Sequence, residues 1–401
     1  MVACAFTGFA SGLPFFVLIQ LIQAWLRSEG VGLVEIGLFA LAQIPYTWKF
    51  LWSPFLERFP FPFLGRRRGW MLVTQVGLVL GFLSFAYFDP NLHIKWIFIV
   101  ALMVGVFSAT QDIAIDAYRR ELLPSEAELA LGNSIHVQVY RIAGFIPGSL
   151  GLILADYLPW SSVYWVMAAF MSIGIFTTLT IREADLEPNI PRSLKAAIVE
   201  PFVEYLTRRG PRNVVLVMLF LFLYKFGDSM ATALSTSFYL DLGFSMTEIG
   251  LVAKNAGFWS ALVGGIVGGL IIVKIGINKG LWIFGSVQLI TILGFAYLAT
   301  QGYSLPLLAM VIAAEYLGVG LGTSAFVAFI ARETSPKLAA TQFALFTAIT
   351  ALPRTVTAAS TGWLVELFGW PSFFYLCTIF AIPGLLLLWW VAPYRNSEQE
   401  Y

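Results

Sequence analysis

Residues 96–115 read WIFIVALMVGVFSATQDIAI, twenty positions with one ionisable side chain, Asp112. A helix of that length rises about 30 Å, the thickness of a bilayer's hydrocarbon core, and it pairs its own backbone N–H and C=O groups where no water can. The run therefore reads as the heart of a membrane span over 95–118. The whole chain has the same character: of 401 residues, 59% are hydrophobic and 12% charged, and the mean hydropathy is +0.80. That composition excludes an ordinary water-soluble globule.

Working outward to the charged and Pro/Gly-rich breaks places further spans at 2–27, 34–56, 70–88, 130–156 and 160–181. A second set falls at 213–239, 246–273, 280–301, 305–331, 338–366 and 370–392. The fold class is thus an all-α membrane protein of twelve transmembrane helices. The first apolar stretch lacks a basic leader and is itself long enough to cross, so it is expected to be a span and not a cleaved signal. Cys4 and Cys377 suggest packed thiols, not a disulfide framework.

The net charge of +1 says little, but its distribution is informative. With both termini in the cytoplasm, about seventeen of the 24 Lys and Arg fall in cytoplasmic segments, among them Arg66, Arg67, Arg68, Arg208, Arg209 and Arg212. Arg27 and Lys95 fall outside. The positive-inside bias sets that orientation and makes the Arg66–Arg68 run a topology determinant, with no nucleic-acid partner implied.

The two sets of six are separated by 183–212, which includes an amphipathic stretch, Ser193 to Arg209, expected to lie on the membrane surface. The expected domains are 1–182, a six-helix bundle; 183–212, a cytoplasmic linker; and 213–401, a second six-helix bundle. The halves echo one another. Glu35-Ile36-Gly37-Leu38 recurs 213 residues later as Glu248-Ile249-Gly250-Leu251, Arg119 recurs at the same spacing as Arg332, and Trp160 and Trp370 open the sixth and twelfth spans. Weak similarity between six-span halves resembles the parallel repeats of the major facilitator superfamily, which bind solute near the bilayer midplane between them. The loop from Leu56-Glu57-Arg58 to Gly65-Arg66-Arg67-Arg68 resembles a stretched form of that superfamily's acidic and Arg-rich loop. On that footing Glu57, Arg58, Arg119 and Arg332 are candidate gate residues, although the insertion Phe59 to Leu64 departs from the usual spacing.

Ionisable side chains at membrane depth cost several kcal/mol unless paired or wetted, so each is a candidate functional residue. Nine occur: Lys49, Asp112, Asp116, Arg141, Lys225, Asp228, Lys254, Glu315 and Arg354. The five cations and four anions together favour a solute carrying carboxylates. Asp112, Asp116 and Arg119, at i, i+4 and i+7, share one face of the fourth span. They form either a proton ladder or, for Asp116 with Arg119, a latch at the cytoplasmic gate. Lys225 and Asp228, at i and i+3, either serve the solute or neutralise each other. His93 and His136 read as incidental, and the scattered His and Cys make no metal site. Gly264-Gly265, Gly268-Gly269 and Gly318, Gly320 and Gly322 read as close helix packing. No HExxH motif, Walker loop or nucleophile elbow occurs, which argues against an enzyme and implies no cofactor.

Longer strings carry a closer likeness. Gly8-Phe9-Ala10-Ser11-Gly12-Leu13-Pro14, Lys49-Phe50-Leu51-Trp52-Ser53-Pro54 and Gln111-Asp112-Ile113 continuing to Asp116-Ala117 resemble the AmpG muropeptide permeases; related acetyl-CoA transporters share versions of the last two. Tyr224-Lys225-Phe226-Gly227-Asp228, Gly322-Thr323-Ser324-Ala325-Phe326-Val327-Ala328 and Ala340-Thr341-Gln342-Phe343-Ala344-Leu345 extend the likeness through the second half. The resemblance implies a bacterial inner-membrane protein that couples proton entry to import of N-acetylglucosaminyl-1,6-anhydro-N-acetylmuramyl peptides; separately, a monomer is the expected state. That import serves peptidoglycan recycling and, in some bacteria, β-lactamase induction. Longer family members carry two further spans, whereas this sequence reaches Tyr401 soon after Pro393; the exact cargo is therefore open.

A muropeptide offers carboxylates, amides, hydroxyls and sugar faces. Lys49, Arg141, Lys225, Lys254 and Arg354 suit the carboxylates, with Arg able to bind bidentately. Gln20, Gln23, Gln111, Gln138 and Gln342 suit amides and hydroxyls, and Tyr46, Trp48 and Tyr224 suit sugar rings. Asp112 and Glu315, in the corresponding fourth and tenth spans, are the first candidates for proton coupling, followed by Asp116 and Asp228. The competing readings are a transporter of an acyl-CoA or another anionic solute and, further off, a membrane-embedded enzyme or sensor.

Overall fold

The computed structural model describes residues 1–59, 64–123, 125–183, 194–335 and 339–394, and every regular element among them is helical. The spans run Val2–Ser28, 33–58, Arg66–Phe85, Pro90–Leu122, 126–157 and Trp160–Thr180. They continue Pro211–Asp241, Met246–Ile275, Ile277–Gln301, Leu305–Glu333 and a last run, Ala339–Val391. That run has 53 residues. At 1.5 Å per residue it would reach about 80 Å, far more than one crossing. Gly369, at φ 74°, breaks it into the eleventh and twelfth spans, and a left-handed backbone there suits only glycine.

The second span departs most from its expected form. It is not one helix but a relay of Leu33–Leu38, a 3₁₀ turn at Phe39–Gln43, Ile44–Trp48, a second 3₁₀ turn at Lys49–Leu51, and Ser53–Arg58. Pro45 and Pro54 each lack an N–H, which interrupts the helical ladder on both sides of Lys49.

The chain folds as two units, Met1–Ile190 with Ser245–Leu251, and Pro191–Phe244 with Val252–Tyr401. In the first, Trp25 stands edge-on to Tyr164 at 4.9 Å, and Tyr164 lies 5.1 Å from Phe85, all three buried. In the second, Phe220, Tyr224, Phe326 and Phe329 form the aromatic heart. Val273, 85% exposed, together with Phe176, Leu80 and Leu270, presents an apolar exterior suited to lipid. Cys4 and Cys377 are free and buried.

The glycine reading holds at particular positions. A Cβ on Gly264 would meet the backbone O of Leu317, and one on Gly320 the backbone O of Ala261, so the eighth and tenth spans touch backbone to backbone. Gly265 and Gly269 face open space. The echo between halves is also structural: Trp160 Nε1 donates to Ser28 Oγ at 3.1 Å, and Trp370 Nε1 donates to Asp241 Oδ2 at 2.9 Å.

Between the two sets of spans lies a helix, Leu194–Arg209, whose C-terminal end is docked on the end of the tenth span. Arg209 pairs with Glu333 at 2.9 Å, Tyr205 Oη donates to the same carboxylate at 2.9 Å, and Arg208 donates to the Glu333 carbonyl at 2.7 Å. Burial, reinforced by the Glu333 carboxylate, lifts the Tyr205 phenol well above its usual pKa and keeps it a donor.

Candidate functional site

In the first unit the cluster centres on Lys49, held in the 3₁₀ turn of the second span. Its Nζ lies 3.6 Å from Asp112 Oδ2 and 3.9 Å from Asp116 Oδ2. Ser11 Oγ donates to Asp112 Oδ1 at 2.5 Å, which ties the first span to the fourth. Arg119 donates to Asp116 at 2.8 Å and to Asn133 at 2.6 Å. Exposure rises along the fourth span, from 0% at Gln111 through 13% for the Asp112 side chain to 52% for Asp116. Asp116 is thus a shared, solvent-reaching partner of Lys49 and Arg119, whereas Asp112 is paired deeper in the bundle.

The backbone around the site is irregular in a consistent way. The first span carries a π-turn at Val17–Leu21 and the fifth another at Ile146–Leu150. They meet where Gln20 lies over Gly148, in the space a Cβ would need. Lys225 sits at a break in the seventh span with φ −103° and ψ 6°, and Lys254 directly follows a π-turn, Ile249–Ala253. Three of the five intramembrane cations therefore stand on interrupted helix. Such irregularity inside a membrane is tolerated where protein or a polar cavity covers it, and π-turns recur at functional sites.

In the second unit Lys225 Nζ lies 3.8 Å from Asp228 Oδ2, both side chains largely buried. Glu315 is fully buried within reach of Asp228, Lys225 and Thr291, yet neither of its oxygens makes a well-formed hydrogen bond among the described residues. Beside Asp228 lies a small cavity of about 10 Å³ lined also by Gln288, whose amide nitrogen has no described partner. One cation thus stands among two carboxyls, which leaves the trio one negative charge in excess unless a proton is bound.

Not every candidate reaches such a cluster. Tyr224, expected to face sugar rings, borders the small cavity beside Asp228 but is otherwise buried in the core of its unit, stacked at 5.2 Å on Phe326, with its hydroxyl donating to the Leu281 carbonyl at 2.9 Å. Gln342 is likewise consumed by structure, accepting from the Ser335 N–H at 2.6 Å and donating to Glu204 of the linker helix. Gln23 is buried, and Lys254 donates to Thr236 at 3.3 Å without meeting Glu315. Tyr46 donates to Ser108 at 2.6 Å and turns its ring edge to Phe15. Arg332 bonds Asn278 at 2.7 Å. The side chains of Glu57 and Arg58 lie outside the described residues.

Arg141, Gln138 and Arg354 are exposed. Arg141 and Arg354 each stand near the middle of a span, the fifth and the eleventh, and are 213 residues apart, the spacing that relates the two halves. The interval between Arg119 and Arg332 is the signal in the sequence that pairs them.

Residues 3–358 match the Major Facilitator Superfamily. The chain belongs to that superfamily. Within it, the AmpG resemblance is borne out: the chain is 37% identical over 383 residues to the anhydromuropeptide permease of Escherichia coli strain K12, covering 95% of this chain and 77% of that one. It is 47% identical to an uncharacterised protein of Haemophilus influenzae, over 100% of this chain and 96% of the relative. It is 30% identical to the putative transporter AmpG 4 of Rickettsia felis, over 95% and 94%. In fold it resembles the nucleoside transporter NupG at a TM-score of 0.73 and 12% identity, covering 97% of this chain and 97% of that one. It resembles the D-xylose-proton symporter at 0.72 and 13%, over 98% and 97%. This superfamily member is a multi-pass membrane transporter and not an enzyme.

Proposed function

We propose that the chain imports N-acetylglucosaminyl-1,6-anhydro-N-acetylmuramyl peptides across the bacterial inner membrane by proton-coupled alternating access, with both termini in the cytoplasm. What carries this reading is the kinship with the Escherichia coli anhydromuropeptide permease along 95% of the chain. The geometry agrees with it. Arg141 and Arg354, exposed at corresponding midspan positions, hold the peptide carboxylates together with Lys49, while Gln20 and Gln138 meet amides and hydroxyls. The two halves, 1–182 and 213–401, are the moving bodies of the transport cycle, and 183–212 links them. Asp112 and Glu315 bind and release the coupled proton as each is opened to one side and then the other.

The test is uptake of radiolabelled anhydromuropeptide into energised membrane vesicles, with and without an uncoupler. Accumulation that the uncoupler abolishes supports the reading. Uptake of an acyl-CoA in its place, or muropeptide uptake indifferent to the proton gradient, overturns the corresponding part.

A further inference from the structure

We propose that the second unit carries a built site for one anionic phospholipid, between the beginning of the seventh span and the end of the twelfth. A groove of about 690 Å³ lies there, walled by Val215, Leu216, Leu387 and Trp390 and headed by Pro211 and Arg212. Its walls belong to membrane-crossing helices, so acyl chain is the occupant that the surroundings supply.

The headgroup is selected by charge. Arg208 and Arg209 are already engaged, by Glu204 at 3.0 Å and by Glu333 at 2.9 Å. Arg212 is exposed and has no ion pair among the described residues, so its guanidinium stands free at the mouth of an apolar groove. Trp390, 61% exposed on the opposite wall, is the amphipathic side chain that settles at the headgroup level, where its ring meets acyl chain and its N–H meets phosphate or ester. A cation at the rim, a tryptophan beside it and an apolar trough below match the division of a phospholipid into anionic head and hydrocarbon tail, and basic pockets between spans bind such lipids.

The site is independent of the solute reading, and its test uses no muropeptide. The full-length protein in detergent is titrated with short-chain phosphatidylglycerol and with phosphatidylcholine, and bound lipid is counted by native mass spectrometry. The wild type is expected to retain one phosphatidylglycerol in preference to phosphatidylcholine. Arg212→Gln should lose about fivefold in phosphatidylglycerol affinity, the factor for one Arg at an anionic surface. Arg120→Gln, an exposed cation on the fourth span far from the groove in sequence, should lose none. Trp390→Leu keeps the apolar wall and should weaken both lipids by a smaller factor. Equal phosphatidylglycerol affinity in wild type and Arg212→Gln overturns the proposal, as does an equal loss in Arg120→Gln. Displacement of the lipid by millimolar inorganic phosphate would reduce the site to a surface anion contact and overturn it also. Because Arg212 is exposed, an unchanged melting temperature serves as the control for folding.

Discussion

Asp112 and Glu315 are both carboxyls at membrane depth, but their neighbours differ. Asp112 has Lys49 at 3.6 Å and the Ser11 hydroxyl at 2.5 Å, so its negative charge is matched in place. Glu315 shares one cation with Asp228 and has no well-formed hydrogen bond among the described residues. Neutral isosteres separate coupling from structure. Glu315→Gln is expected to leave binding and exchange of muropeptide intact while abolishing accumulation against a gradient, measured by counterflow beside gradient-driven uptake. Asp112→Asn is expected to show the same split, and in addition to leave Lys49 with Asp116 as its carboxylate neighbour. If both variants accumulate solute with wild-type dependence on pH and proton-motive force, neither carries the proton. The arginines yield a second expectation. Arg141→Gln or Arg354→Gln should weaken binding of the native muropeptide by about ten- to a hundredfold, the worth of one charge-assisted bond. An analogue with amidated carboxylates should be affected much less; equal losses for the two ligands would assign the arginines to structure.

At the scale of elements, the lysines at helix interruptions and the glycines at helix contacts work in opposite senses. A 3₁₀ or π-turn exposes backbone groups and re-aims a side chain, whereas a glycine contact lets two backbones close up. Replacement at the contact therefore has a sharp signature. Gly264→Ala puts a methyl against the Leu317 carbonyl, which belongs to the backbone and cannot swing aside. It should destabilise by about 1–3 kcal/mol. Gly265→Ala, one residue on, enters open space and should be neutral or stabilising by up to about 1 kcal/mol. Thermal unfolding of the two variants in detergent distinguishes them, and equal melting temperatures would contradict the packing account.

For the whole molecule, the distribution of Lys and Arg sets the expected orientation. Reporter tags in 57–69, in 183–212 and at the C-terminus should all read as cytoplasmic in an accessibility assay. A periplasmic signal from any of the three would overturn that orientation.

The sequence by itself determined the solvent, the number of spans, the internal echo and the nine charges that must be accounted for. These follow from quantities summed along the chain: apolar length against bilayer thickness, charge against side, and spacing against the repeat. The family strings were legible for the same reason, being contiguous. Tertiary structure decided what each polar residue is for. Asp112 meets Ser11 across 101 positions, and Gln342 meets Glu204 across 138. No window of sequence holds both members of such a pair. Tyr224 has the composition of a sugar-stacking residue, yet it is claimed by Phe326 and the Leu281 carbonyl. The break that holds Lys49 has a local cause in Pro45 and Pro54, but where it points its ammonium depends on the fourth span packed against it. Burial and pairing are properties of neighbours brought together by folding, and only the folded chain supplies them.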